Sequence, residues 1–350
     1  MCEIVTSASE KRKKISVTTG CFNEEENLPE FYARVKAVLE KYPQYDYEMI
    51  VADNCSTDGS RDVLRKLAAA DPKFKVILNA NNFGHIRSPF NAFLQATGDA
   101  VITLCSDLQE PPEVIEEFIA KWEAGAEVVV GVRSGTKEGF LMALLRRFYY
   151  WGLAQVSETK DLIHAFTGFG LYSRKFCDAV KLFHEPYPYF RGLVSEIGMK
   201  RAEVLFVQDR RKHGRTKNNF FTLYDMAMTG LVNHSKLPLR LAVYFGFLTG
   251  LLSFFIAVAY LVLKLIFWEQ FSLGMAPIMI GMFFFTSVQL IFIGIIGEYL
   301  GAIWTQVKDR PLVIEEERLN FDVKPNFGPA CASRTACASQ AAPPSEGETP

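Results

Sequence analysis

The 350-residue sequence has no excess of charge of either sign: 38 Lys and Arg stand against 39 Asp and Glu, a formal net charge of −1. Such a balance argues against a global nucleic-acid binder, because affinity for a phosphate backbone requires a basic excess. The seven cysteines, at 2, 21, 55, 105, 177, 331 and 337, are scattered singly with no C-x-x-C pair. Disulfide frameworks and zinc clusters are not built that way, and we read a reducing compartment for the folded part. With only 24 Gly and 16 Pro in a chain that is 49% apolar, collagen-like and wholly disordered classes are excluded. There is no G-x-G-x-x-G and no G-x-x-x-x-G-K-[ST], so neither a dinucleotide fingerprint nor a P-loop holds phosphates. The polar segment 1–14 lacks the apolar core of a signal peptide, so the chain is expected to start in the cytosol.

What is there is unevenly distributed. Leu241 to Leu263 is 23 residues without a charge, and Phe271 to Gly297 is 27 more. About 20 helical residues cross a hydrocarbon core, so both runs are long enough. The expectation is a two-helix transmembrane domain over 237–306, with spans at about 241–266 and 273–300. Lys236 and Arg240 precede the first run, Lys308 and Arg310 follow the second, and only Lys264 lies between. By the positive-inside bias this is an integral, multi-pass protein with both termini cytoplasmic, in the plasma membrane if the source is bacterial. Trp268 and Trp304 sit near the run ends, where interfacial aromatics belong. Residues 321–350, rich in Pro, Ala, Ser and Gly, read as a disordered tail.

Before the spans, apolar periodicity alternates between strand and helix. Strands are expected at 14–19, 47–52, 74–78 and 100–105, with helices at 27–42, 61–70 and 88–97 between them. This βα repeat implies a mostly parallel sheet covered on both faces, whose ligands bind beyond the carboxyl ends of the strands. Four polar clusters follow those ends: Gly20 to Asn27, Asp53 to Ser60, Asn79 to His85, and Ser106 to Pro112. Taken alone, Ser56-Thr57-Asp58 also fits an ordinary helix N-cap. Together the four make a polar crevice. Its carboxylates repel phosphates unless a divalent cation bridges them, and hard cations take oxygen ligands. A nucleotide diphosphate held through Mg2+ or Mn2+ fits that chemistry.

Phe22-Asn23-Glu24-Glu25-Glu26-Asn27-Leu28, Asp53-Asn54-Cys55-Ser56-Thr57-Asp58-Gly59-Ser60 and Ser106-Asp107-Leu108-Gln109-Glu110-Pro111-Pro112-Glu113 resemble signature segments of family 2 glycosyltransferases. More narrowly the chain is similar to polyprenyl-phosphate glycosyltransferases, the bactoprenol glucosyltransferases and dolichol-phosphate mannose synthases. The likeness runs from about Ile15 to about Arg310 and includes Ile296-Gly297-Glu298-Tyr299-Leu300-Gly301. It implies a GT-A nucleotide-diphospho-sugar transferase fold over 15–236, an α/β domain followed by the two transmembrane helices. It also implies donor contacts from Gly20, Phe22, Glu24, Asp53 and Ser106, and a metal held by Asp107 and Gln109. Two departures stand out. Relatives often carry Asp-x-Asp before Leu-Gln, where this sequence has Cys105 as the first residue, and the common Asp-Asp-Gly-Ser is here Asp53-Asn54-Cys55-Ser56.

A second cluster follows. Between 201 and 217 six Lys and Arg oppose two acids, a local excess that the whole-chain balance conceals. Just upstream of a span, such a patch suits either a topogenic role or a lipid phosphate acceptor at headgroup level. The resemblance matches Arg211 and Lys217 to basic residues of an Arg-x-x-Gly-x-Ser-Lys segment, and Arg133 to an arginine near the diphosphate. Segment 139–151, apolar and aromatic with Arg146 and Arg147, reads equally as a core helix or an interfacial one.

The expected activity is inverting transfer of a sugar from a nucleotide diphosphate sugar to polyprenyl phosphate (undecaprenyl or dolichyl) on the cytoplasmic leaflet, for cell-envelope glycan or protein glycosylation. The catalytic set is Asp107, Arg133, Arg211 and Lys217, the partners are donor, lipid acceptor and membrane lipid, and a homo-oligomer is left open. Two rivals are weighed. A membrane-anchored sugar-nucleotide scaffold would have lost catalysis with the carboxylate at Cys105. A processive polysaccharide synthase would want more spans and a Trp where Lys212 stands.

Overall fold

The computed structural model describes residues 12–134, 166–183, 185, 188, 190–208, 237–266, 275–308 and 310–322. The chain divides into two units, an α/β domain and a second unit, 138–162 with 217–309, whose described residues are mostly helical.

The α/β domain runs β1 (Lys14–Cys21), α1 (Leu28–Leu39), β2 (Asp46–Asp53), α2 (Ser60–Ala70), β3 (Phe74–Asn79), α3 (Gly84–Gln95) and β4 (Ala100–Thr103). A 3-10 turn, Pro112–Val114, then leads into α4 (Ile115–Glu123), followed by β5 (Val128–Arg133), β6 (Phe166–Ser173), α5 (Arg174–Val180), α6 (Phe190–Ile197) and β7 (Arg201–Phe206). The expected alternation is present throughout the first half. In α1 the apolar set Leu28, Phe31, Val35, Val38 and Leu39 is buried, as its helical spacing requires, and Pro29 sits in the first turn, where its missing N–H costs nothing.

Among the described residues the sheet has eight strands in the order β7-β5-β6-β4-β1-β2-β3-β8, where β8 is Glu315–Leu319. Strands β4, β1, β2 and β3 are parallel, while β6 pairs antiparallel with both β4 and β5, and β8 antiparallel with β3. The central strands are buried on both faces because successive side chains point opposite ways. Met49 and Val51 join one core with α1, α2 and α4 through Phe31, Leu64 and Phe118. Ile50 and Ala52 join another with α3, α5 and α6 through Phe93, Phe176 and Leu193. The chain winds from β1 outward to β3 and then crosses to β4 on the other side of β1. That reversal between β1 and β4 opens a crevice at their carboxyl ends.

Strand β8 has no counterpart in the hydropathy pattern. After the helical unit the chain returns to the α/β domain and covers the outer edge of β3, which removes an unpaired strand edge. The packing extends to Phe321, whose ring lies under Lys75 at 5.2 Å and Arg318 at 5.3 Å. The α/β domain is therefore discontinuous in sequence, extending past the expected 15–236.

The helical unit contains α7 (Leu237–Ile266) and α8 (Met275–Val307), so the second helix runs further than the expected 273–300. Among the described residues one stretch, Gly281–Val307, is long and apolar enough to cross a membrane, and Leu241–Ile256 is a shorter apolar one. Phe247, Phe255, Phe283 and Ile291 are exposed, a surface suited to hydrocarbon rather than water. Hydroxyls on these helices turn back onto the backbone: Thr249 donates to the Phe245 carbonyl at 2.9 Å, Ser253 to Thr249 at 2.8 Å and Ser287 to Phe283 at 2.8 Å. Polar groups are thereby satisfied within the helix, as an apolar medium demands.

Candidate active site

The crevice is built where β1 and β4 part. Gly20 must lack a side chain, because a Cβ there would lie 2.5 Å from Pro89 Cγ of α3. Its carbonyl accepts the Ser106 hydroxyl at 3.0 Å, which ties the end of β1 to the loop after β4. Strand β4 stops at Thr103, short of the expected 105. The reason is Glu110, whose carboxylate accepts the Cys105 N–H at 2.8 Å and the Thr167 hydroxyl at 2.7 Å. Residues 105–110 thus close into a loop, with Leu108 at φ +58° and Asp107 Oδ1 accepting the Gln109 N–H at 3.2 Å. Asp107 is buried, Gln109 half-buried and Cys105 exposed. Burial, reinforced by the charge of Asp107, raises the Glu110 pKa against the hydrogen bonds from Thr167 and Cys105.

The end of β2 carries a second polar assembly. Asp53 is fully buried and accepts Arg61 Nε at 2.8 Å and the Ser56 N–H at 3.2 Å. Asn54 Oδ1 accepts the Phe83 N–H at 2.8 Å and its amide donates to Asn82 Oδ1 at 2.7 Å, which secures the loop after β3. Cys55 has φ +63°, a left-handed conformation that glycine adopts without steric cost.

The loop after β1 is zipped onto this one. Asn23 donates its N–H to Ser56 Oγ at 2.9 Å and accepts the Thr57 N–H at 2.8 Å; the Glu24 N–H reaches Ser60 Oγ at 2.9 Å. Glu25 accepts the Gly59 N–H at 2.9 Å. The N-cap of α2 is Gly59, without a side-chain cap bond, so the Ser56 and Ser60 hydroxyls serve the neighbouring loop rather than the helix end. Phe22 and Glu24 are half-buried, and Glu24 accepts the Asn27 amide at 2.5 Å. The Cys21 thiol is pushed well above its ordinary pKa by burial, then by the charges of Asp53 and Glu24, and stays protonated.

Gly20, Phe22, Glu24, Asp53, Ser106, Asp107 and Gln109 thus gather at the ends of three adjacent strands. Arg133 closes β5, parallel to β4 and two strands away on the same sheet edge, and its guanidinium donates to Gln208 Oε1. Arg211, Lys217 and the segment 139–151 lie outside the described residues.

For a metal, the described residues contain no group of three or more His, Cys, Asp or Glu able to hold one. What they provide is an oxygen pair, the Asp107 carboxylate and the Gln109 amide. That pair fits a hard divalent cation that takes its remaining ligands from substrate phosphates and water, as Mg2+ does. An exposed thiol at Cys105 adds little, since sulfur favours softer ions.

Three residues of this assembly are not singled out by the sequence motifs: Glu110, Arg61 and Glu316. Glu110 lies within the Ser106 to Glu113 segment, but nothing in the sequence assigns it a role of its own. Arg61 donates to the Asn79 carbonyl at 2.6 Å and to Glu316 of β8 at 3.0 Å, a partner 255 positions away for which no local signal exists.

The model of Glycosyl transferase family 2 matches residues 16–180. An uncharacterized glycosyltransferase of Bacillus subtilis is 36% identical over 314 residues, covering 88% of this chain and 95% of the relative. The chain belongs to glycosyl transferase family 2. This glycosyltransferase is also 32% identical to an SfII prophage-derived bactoprenol glucosyl transferase of Shigella flexneri over 301 residues, 86% of this chain and 97% of that one. The narrower resemblance to polyprenyl-phosphate glycosyltransferases is thus borne out by a match along nearly the whole relative. The α/β domain of the glycosyltransferase is GT-A-like. Among solved structures, a mannosyltransferase from Pyrobaculum calidifontis in complex with GDP-Man and Mn2+ aligns over 86% of this chain and 89% of its own, with 16% identity and a TM-score of 0.45.

Proposed function

We propose that this glycosyltransferase moves a sugar from a nucleotide diphosphate sugar to the phosphate of a polyprenyl phosphate at the cytoplasmic leaflet, with inversion at the anomeric carbon. The observation that carries the reading is the assembly of Asp53, Ser106, Asp107 and Gln109 at the reversal between β1 and β4. The kinship with a bactoprenol glucosyl transferase supports the acceptor class.

Asp53, with Gly20, Phe22 and Glu24, receives the base and ribose. Asp107 and Gln109 would hold Mg2+ or Mn2+. When bound, the cation supplies charge stabilisation to the leaving diphosphate. Arg133 shares that load, and Arg211 and Lys217 hold the acceptor phosphate. A phosphate acceptor is already ionised at neutral pH, so the site needs no strong general base. Direct in-line attack by that oxygen gives a β-linked product from an α-linked donor.

Two spans are supported by connectivity. Strands β7 and β8 belong to one sheet, with α7 and α8 between them in the chain. The intervening chain must cross a membrane an even number of times to return, so if α8 spans, α7 spans too. Lys236, Arg240, Lys308 and Arg310, against Lys264 alone in the link, favour a cytoplasmic catalytic domain.

The test is transfer by the purified full-length protein with a panel of donors, a polyprenyl phosphate, and Mg2+ or Mn2+. Metal-dependent appearance of glycosyl lipid is expected, and Asp107→Ala should lower it by about a hundredfold or more. Full transfer by that variant would sink the metal assignment, and no transfer from any donor would sink the reading.

A further inference from the structure

The geometry points to Arg61 as a positioning residue for donor binding, itself held by Glu316 of the segment that returns after α8. This rests on the reading of Asp53 as a nucleotide contact. The Arg61 fork is shared three ways: Nε to Asp53 Oδ2 at 2.8 Å, Nη2 to the Asn79 carbonyl at 2.6 Å and Nη1 to Glu316 Oε2 at 3.0 Å. A planar guanidinium held at three points has little rotational freedom left. Its hold on Oδ2 fixes the plane of a carboxylate that is fully buried. Oδ1 accepts the Ser56 N–H at a long 3.3 Å, so Arg61 and the loop after β2 together set the orientation of this carboxylate.

Glu316 is placed by a segment with several independent anchors. β8 pairs with β3, matching Leu78 to Glu317 and Val76 to Leu319. Asn91 donates to Glu315 at 2.9 Å and Arg87 to the Pro311 carbonyl at 2.6 Å. At the far end Asn320, with φ +60°, directs its amide onto the carbonyls of Ala68, Asp71 and Phe74 at 2.7 to 3.1 Å. A neighbouring pair, Arg65 with Glu317 at 3.0 Å, also joins α2 to β8 but does not lead to Asp53. The two pairs share strand, helix and exposure of the acid, yet only one is connected to the donor site.

The experiment measures nucleotide affinity by calorimetry on the full-length protein in detergent with Mn2+, using UDP, GDP, dTDP, CDP and ADP as probes, with thermal midpoints alongside. Glu316→Gln should weaken the bound nucleotide by about threefold to tenfold, a coupling of the size common between contacting polar groups. KM for the donor should rise in step while kcat at saturation stays within about twofold. Arg61→Lys, which cannot reach three acceptors at once, should weaken binding at least as much, and the double variant should fall short of the product of the two effects. Glu317→Gln should leave affinity at the wild-type value. Equal losses for Glu316→Gln and Glu317→Gln would reduce Glu316 to a general anchor of β8 and overturn the proposal. So would wild-type affinity in Glu316→Gln or, should that variant not fold, in Arg61→Lys. Failure of the wild-type protein to bind any of the five nucleotides would overturn the donor-site reading itself and this inference with it.

Discussion

Glu110 accepts the backbone N–H of Cys105 at 2.8 Å, bending the chain back on itself immediately after β4. The same carboxylate takes the Thr167 hydroxyl, so the loop bearing Asp107 and Gln109 is fastened to β6 as well as to its own strand. The position of Asp107 and Gln109, the pair proposed to hold the metal, is therefore set by a residue outside that pair.

Glu110→Ala should leave a part-buried N–H and a part-buried hydroxyl unpaired, costing about 1 to 3 kcal/mol of stability and weakening metal-dependent donor binding. Glu110→Gln can still accept from Cys105 and pair with Thr167. Because burial raises the folded pKa of Glu110 above its usual 4.5, ionising it costs stability as pH rises from 4.5 through the folded value. Chemical denaturation across pH should thus find Glu110→Gln gaining on the wild type over that rise, and a constant difference would count against it.

Cys105→Asp restores the Asp-x-Asp pattern that the family resemblance leads one to expect, next to the proposed metal pair Asp107 and Gln109. An added hard oxygen ligand should lower the Mn2+ or Mg2+ concentration for half-maximal transfer by about threefold to tenfold. The check is a metal titration of initial rates, and an unchanged midpoint would place residue 105 outside the coordination sphere.

Cys55→Gly should stabilise the domain slightly. Relief of a left-handed residue at φ +63° gains about 1 to 2 kcal/mol, against about 0.4 to 1 kcal/mol lost to the freer unfolded glycine. A net gain of up to about 1.6 kcal/mol, centred near about 0.8 kcal/mol, is expected from the difference and read as a raised thermal midpoint.

At the opposite end of the sheet Glu48, only 1% exposed, accepts Ser16 at 2.6 Å, Lys75 at 2.8 Å and the Thr97 N–H at 2.8 Å. Burial pushes its pKa up, but the bonds from Lys75, Ser16 and Thr97 outweigh it and bring the value down to about 2 from the usual 4.5. The stability this contributes is complete above pH 4.5 and is lost as pH falls from 4.5 to about 2, on the order of 3 kcal/mol. Glu48→Gln should be less stable at neutral pH and flatter over that acid range. An acid limb as steep as the wild type's would contradict the assignment.

Much of this was legible in the chain itself. Apolar spacing in 28–39 set the buried face of α1, the continuous apolar run at 49–52 set a strand buried on both sides, and two charge-free runs marked the helical unit. The polar clusters could be placed because each follows a strand end, and the resemblance to family 2 glycosyltransferases picked out the residues from Gly20 to Gln109 within them. The spacing could not reveal β8, because five residues reading Glu-Glu-Glu-Arg-Leu carry no apolar alternation and become a strand only by pairing with β3. Nor could it reveal the Glu110 to Thr167 bond or the Arg61 to Glu316 pair, which join positions 57 and 255 apart. Periodicity is a local property that burial imprints on neighbouring residues, so the sequence by itself determined the elements and the polar edge. Which distant side chains hold that edge in shape was decided only when the sheet order brought them together.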